Sequence, residues 1–210
     1  MFEEVGVLPK AASLGPKEPL QPEYNRVSIM QNARYALVAY VRGPVGEFVE
    51  SLRRELHPEL PHLAAHVTVL PPRLIRGTQS SALQSLETAC RHAEPFEVTL
   101  GEVESFIPLN PTVFIRVAQA SSRLCQLHDL LNTDSVACTE EWPYMPHLTI
   151  VKMGSEEQAK QALEISRERW TRYAGSRRIA VERLTFVRED AQNWWIDVAP
   201  VPLGGSLVSP

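Results

Sequence analysis

Two tetrapeptides in this chain pair an imidazole with a hydroxyl at the same spacing: His66-Val67-Thr68-Val69 and His147-Leu148-Thr149-Ile150. Alternate side chains of a β-strand face opposite sides, so in each copy His and Thr share one face and the aliphatic residues the other. The imidazole and hydroxyl then lie about 6–7 Å apart, two residues of strand rise. Brought together, two such strands supply two groups that titrate near neutral pH and two neutral hydrogen-bond donors. That set suits acid–base work on a phosphate ester. A single His-x-Thr would read as a half-buried structural histidine. Repetition, with aliphatic residues at both interleaved positions, makes the pair a candidate site.

Other chemistry-bearing residues are weaker candidates. His57, His62 and His66 have a spacing that invites a zinc reading. Pro58 and Pro61 break that stretch and His66 is accounted for by its strand, so no metal is expected. Cys125 and His128 alone make no ligand set, and His128 reads as a polar-face helix residue. There is no Gly-rich phosphate loop and no Gly-x-Ser-x-Gly elbow, and no cofactor is expected. Tyr144, Trp142 and Phe106 lie near the motifs and could stack on a base, with plain packing as the alternative. Arg188 follows Leu184-Thr185-Phe186-Val187 and could lean toward a phosphate; simple surface exposure is its alternative.

Composition narrows the class. The 210 residues can bury a sizeable core as one domain or two fused lobes, and the 44% apolar and 22% charged shares are ordinary for a globular protein. A net charge of −4 argues against a broad grip on duplex nucleic acid, although a local basic cleft stays open. Cys90, Cys125 and Cys138 are odd in number and scattered, which fits a reducing compartment, and Cys90 and Cys125 read as small core residues. Glu3 and Glu4 stand where a signal peptide would be basic, and no apolar run approaches the roughly 20 residues of a membrane span. The expectation is a cytoplasmic protein with no membrane partner.

The elements that must hold the motifs follow from hydrophobic period. Residues 1–32 carry four prolines and no sustained pattern and read as an extended or partly disordered arm. Residues 35–41 read as a buried strand. Val45, Phe48, Val49, Leu52 and Leu56 then mark a helix with one apolar face. The first motif strand follows, ended by Pro71-Pro72, then a helix through Leu83, Leu86 and Cys90 and a strand from Phe96 to Phe106. The order recurs: a strand at 112–117, a helix through Leu124, Leu127 and Leu131, the second motif strand, and a helix through Ala159, Ala162, Leu163, Ser166 and Trp170. One long strand at 178–187 and another at 194–198 close the domain, 33–199, and residues 200–210 read as a mobile tail. Matching order with motifs 81 residues apart points to an internal duplication and a pseudo-two-fold, with both motifs at the junction.

These motifs, with Pro71-Pro72 after the first and Pro146 before the second, resemble the two-histidine phosphoesterase superfamily. Within it the chain is most similar to the branch called 2′,5′-RNA ligase or RNA 2′,3′-cyclic phosphodiesterase. The resemblance spans about residues 33–199. Leu63-Ala64-Ala65 lacks a proline often found before the first histidine, and the N-terminal arm is an addition. The resemblance implies an α+β, duplicated, bilobal fold, with two antiparallel-rich sheets and outer helices around a central cleft. It implies that His66, Thr68, His147 and Thr149 are the site residues of a metal-free phosphodiesterase. The partners would be RNA ends or small cyclic nucleotides, and the protein would be a monomer. Ligation in the reverse direction, or a nucleotide-binding module with little turnover, are the alternatives. With both imidazoles near their unperturbed pKa of about 6.5, the rate would peak at roughly pH 6–7.5.

Overall fold

A computed structural model describes residues 33–58, 63–192 and 194–204. The sequence expectations for residues 1–32, for His62 and for 205–210 lie outside these described residues. β1 (Tyr35–Tyr40) is buried along nearly its whole length because it lies inside a sheet, between β2 (His66–Arg73) and β7 (Arg183–Glu189). The chain leaves β1 through Gly43, whose φ of 74° suits glycine, and enters α1 (Pro44–Leu56) with proline at its first position. A Cβ on Gly46 would stand 2.1 Å from the Val41 carbonyl oxygen, so only glycine lets α1 fold back this tightly on β1. α2 (Gln79–Cys90) starts with a reciprocal capping box between Thr78 and Ser81. The remaining elements are β3 (Phe96–Ser105), β4 (Thr112–Gln119), α3 (Ser121–Leu131), β5 (His147–Lys152), α4 (Glu156–Arg172), β6 (Arg178–Val181) and β8 (Trp195–Pro202).

All eight strands belong to one antiparallel sheet in the order β6-β3-β4-β5-β2-β1-β7-β8. The α+β class holds, but the expected two sheets are one, because β2 and β5 meet at its centre through the pair Val67–Leu148. The expected single strand at 178–187 is also two. It breaks at Glu182, with β6 pairing β3 at one end of the sheet and β7 pairing β1 near the other. Strands at nearly opposite ends of the sheet order are therefore joined by a single residue, which requires the sheet to curl strongly on itself. The main core, from Val67, Val69, Leu148 and Ile150 to Trp170 on α4 and Leu86 on α2, lies on the helix-covered face. The inner face carries a small apolar floor of Ala36, Val38 and Val187.

The expected tail is shorter than its prolines implied. β8 runs to Pro202, with Pro200 opposite Thr185, Pro202 opposite Arg183, and fully buried Val201 between them. An edge strand tolerates proline at alternate positions, where the missing N–H would have faced outward.

Candidate active site

The sheet's register gathers the two motifs. Tyr40 and Val38 on β1 pair with His66 and Thr68, and Arg116 and Phe114 on β4 pair with His147 and Thr149. Extending the Val67–Leu148 register by one residue sets His66 across from Thr149 and Thr68 across from His147. The four side chains thus form a diagonal quartet on the inner face, each half-buried, while the interleaved Val67, Val69, Leu148 and Ile150 are core. Both motif strands carry a bulge at the same place. Val69 is the extra residue against β1, where Leu37 pairs with Leu70 but Val38 with Thr68. Ile150 is the extra residue against β4, where Val113 pairs with Val151 but Phe114 with Thr149.

Backbone carbonyls at the bulges are satisfied by side chains, and the two halves do this for one another. From α1, Arg53 Nη2 donates to the Thr149 carbonyl at 2.6 Å and Nε to the Ile150 carbonyl at 3.1 Å. On the other motif, the Tyr144 hydroxyl donates to the Thr68 carbonyl at 2.8 Å, and His128 Nδ1 lies 2.8 Å from the Val69 carbonyl. His128 is buried and stacked on the Tyr144 ring at 4.1 Å, so the expectation of a polar-face histidine is corrected. Arg53 Nη1 also bonds the Glu50 carboxylate and the Leu63 carbonyl, and Glu50 accepts from the Ala65 amide, just before His66. One guanidinium therefore ties both motifs together. Arg53→Ala is expected to lower unfolding free energy by about 3–5 kcal/mol, because it removes the ion pair with part-buried Glu50 and takes this donor from the Thr149, Ile150 and Leu63 carbonyls. Urea denaturation measures this, and Arg53→Lys should recover only part of it because an ammonium lacks the fork.

The imidazoles are held in matching ways. His66 Nδ1 lies 2.7 Å from the Ala64 carbonyl, and His147 Nδ1 lies 2.7 Å from the Met145 carbonyl. A carbonyl only accepts, so Nδ1 carries the hydrogen and Nε2 keeps its lone pair when the ring is neutral. Neither Nε2 nor either threonine hydroxyl has a partner among the described residues. Burial lowers both imidazole pKa values. That of His66 falls to about 4, chiefly by burial and further by the positive charges of Arg53 and His147, against the upward pull of its Ala64 hydrogen bond and of Glu50.

Other expected site residues fare unevenly. Phe106 stands edge-on to His147 with ring centres 5.2 Å apart, and Phe114 packs at 5.1 Å, so both wall the second histidine. Tyr144 holds backbone with its hydroxyl and stacks on His128, which makes it a positioning residue, while Trp142 is exposed. Arg188 pairs with Tyr35, whose ring stacks on Phe186 in the main core, so the register turns it to the helix-covered face, away from the quartet. A residue not singled out from sequence, Lys152, pairs with Thr112 on the same side of β4 as Phe114. It is exposed and lies just past Thr149. The bulge at Ile150 moves it to that side; simple alternation would point it away. Among the described residues no group of three or more His, Cys, Asp or Glu side chains is arranged to hold a metal ion. No helix among them is long and apolar enough to cross a membrane.

The 2′-5′ RNA ligase superfamily model matches residues 41–193, and the chain belongs to that family. BH1439 of Halalkalibacterium halodurans, whose name classes it as a phosphoesterase, is 25% identical over 117 residues, covering 55% of this chain and 68% of that protein. A Bacillus pumilus protein of the same class is 21% identical over 131 residues, covering 62% and 76%. The fold is similar to that of Escherichia coli LigT crystallised with NADP+, with TM-score 0.56 and 17% identity over 82% of this chain and 98% of LigT. LigT has also been crystallised with 3′-AMP, at TM-score 0.54 and 16% identity over 82% and 99%.

Proposed function

We propose that the protein is a metal-independent phosphodiesterase that opens 2′,3′-cyclic phosphates, at RNA ends or on small cyclic nucleotides. The observation that carries this reading is the diagonal quartet, with both Nε2 lone pairs and both hydroxyls on one face and unengaged among the described residues. A neutral Nε2 takes a proton from water, whose oxygen forms the new bond to phosphorus. The opposite bond to a ribose oxygen breaks, and the other imidazolium gives that oxygen its proton. Thr68 and Thr149 donate to the non-bridging oxygens as charge redistributes. Burial, with the Arg53 charge adding to it, disfavours a cation on His66, which suits it to the role of base and leaves His147 the acid. With a ribose 5′-hydroxyl in place of water, the same ring opening forms the new phosphorus–oxygen bond to that hydroxyl and leaves an open diester, which is the ligase activity. Family membership and the nucleotides crystallised with LigT support the substrate class.

The test is incubation with the four 2′,3′-cyclic nucleotides and with cyclic-ended oligonucleotides, resolving 2′- from 3′-phosphate products. Turnover of one class to a single positional isomer, unaffected by prolonged EDTA dialysis, is the expected result. Loss of activity restored by zinc or magnesium would overturn it. Thr68→Val and Thr149→Val should each lower kcat by about 10–100-fold, the scale of one hydrogen bond to a charged group, with melting temperature little changed.

A further inference from the structure

Beside the quartet the inner face holds a cavity of about 240 Å³ lined by Tyr40, Arg42, Arg178, Arg183, Thr185 and Glu182, among others. It forms where the chain passes from β6 to β7. Arg178 is paired with Glu97 at 3.2 Å. Neither Arg42 nor Arg183 has a carboxylate partner among the described residues. The Arg42 guanidinium instead lies 6.0 Å from the Tyr40 ring centre. With Arg178 neutralised by Glu97, Arg42 and Arg183 stand against the Glu182 carboxylate in the lining. Tyr40 is held from the other side, where its hydroxyl donates to Asp197.

The place of this cavity matters more than its charge. Tyr40 pairs directly with His66, and continuing the β1–β7 register two residues past the Val38–Thr185 pair sets Arg183 opposite Tyr40. Arg183 therefore stands two strand spacings from His66 on the same face, roughly 10 Å. Long arginine side chains bridge part of that gap. Unpaired guanidiniums beside a diester site favour a second phosphate, which they grip as a fork. The cavity is smaller than the roughly 300–1,000 Å³ of a pocket for a whole drug-sized ligand. It has room for a phosphate and part of a ribose.

Resting on the phosphodiesterase reading above, we infer that this cavity receives the 5′-phosphate of the nucleotide whose 2′,3′-cyclic phosphate lies on the quartet. The preferred substrate is then the 3′ end of an RNA strand, where that phosphate is always present, and a free cyclic nucleoside phosphate is a poorer one.

Titration calorimetry on the full chain tests this with two compounds that need no turnover, 3′-AMP and adenosine 3′,5′-bisphosphate. The bisphosphate is expected to bind at least about tenfold more tightly, the scale of one charge-assisted hydrogen bond. Arg42→Gln and Arg183→Gln should each erode that advantage while leaving 3′-AMP affinity near wild type, and Arg183→Lys should keep most of it. Equal affinities in the wild type, or an advantage that both Gln variants retain, would overturn the subsite. A parallel assay compares turnover of adenosine 2′,3′-cyclic phosphate with and without a 5′-phosphate. Turnover of both at equal kcat/KM removes the subsite and leaves the phosphodiesterase. Tighter bisphosphate binding with no turnover of either removes the phosphodiesterase and leaves the subsite.

Discussion

His66→Ala and His147→Ala are each expected to lower kcat on a 2′,3′-cyclic nucleotide by at least about 10²-fold, the usual cost of losing a general acid or base. Each histidine presents only Nε2 to the inner face, because its Nδ1 is engaged by the carbonyl two residues back. A glutamine at either position keeps the bulk and some hydrogen bonding but moves no proton, so His66→Gln and His147→Gln should be nearly as inactive as the alanines. The glutamine variants matter most at His147, where alanine would also leave a gap against Phe106 and Phe114. The two groups act in one step, so the double variant should be little worse than either single one, far short of the product of the two losses. Stability should change little beside the loss expected for Arg53→Ala, which the same denaturation series records. Near-full activity in either histidine variant, with the protein folded, would eliminate paired-histidine catalysis.

The quartet was legible because its signal is local: alternation alone puts His and Thr on one face and aliphatic residues on the other. What lies around it depends on contacts no local window contains. Arg53 sits on the buried side of α1, where period suggests a misplaced charge, yet it is buried because β5 offers it two bulge carbonyls. His128 and Tyr144 meet the same need on the other motif. The bulges at Val69 and Ile150 leave no composition cue, and one of them brings Lys152 to the side of β4 that faces the site. The break at Glu182 leaves only a slip in alternation, the buried positions passing from Ile179 and Val181 to Leu184 and Phe186 across exposed Glu182 and Arg183. The curl of the sheet turns that slip into two strands at different places in its order. Pro200 and Pro202 misled in the opposite direction, because their cost disappears on an edge strand. Arg188 failed on parity, as its position on β7 pairs with Tyr35 and so faces the helices.

The dependence of rate on pH should show what burial does to the pair. Competence requires one imidazole neutral and the other protonated. Unperturbed groups would put the maximum at roughly pH 6–7.5. In the folded protein both are harder to protonate, His66 down to about 4 from 6.5 and His147 in the same direction, chiefly through burial. Lowered values mean that the singly protonated pair is most populated at more acid pH. The expected maximum of kcat/KM, which reports the free protein, therefore lies below pH 6.5, with the rate falling about tenfold per unit on the alkaline limb. Bound substrate adds a negative phosphate between the rings, which favours the imidazolium, so the maximum of kcat should lie at higher pH than that of kcat/KM. Both limbs belong to the coupled pair, and neither is assigned to one residue by its midpoint. Residual activity in His66→Gln should lose the acid limb if His66 is the base, and His147→Gln should then lose the alkaline one. A kcat/KM maximum at pH 7 would mean that the imidazoles titrate as they do in water. A rate that climbs steadily to pH 9 would mean that hydroxide or a metal-bound water attacks phosphorus, with no histidine pair in the step.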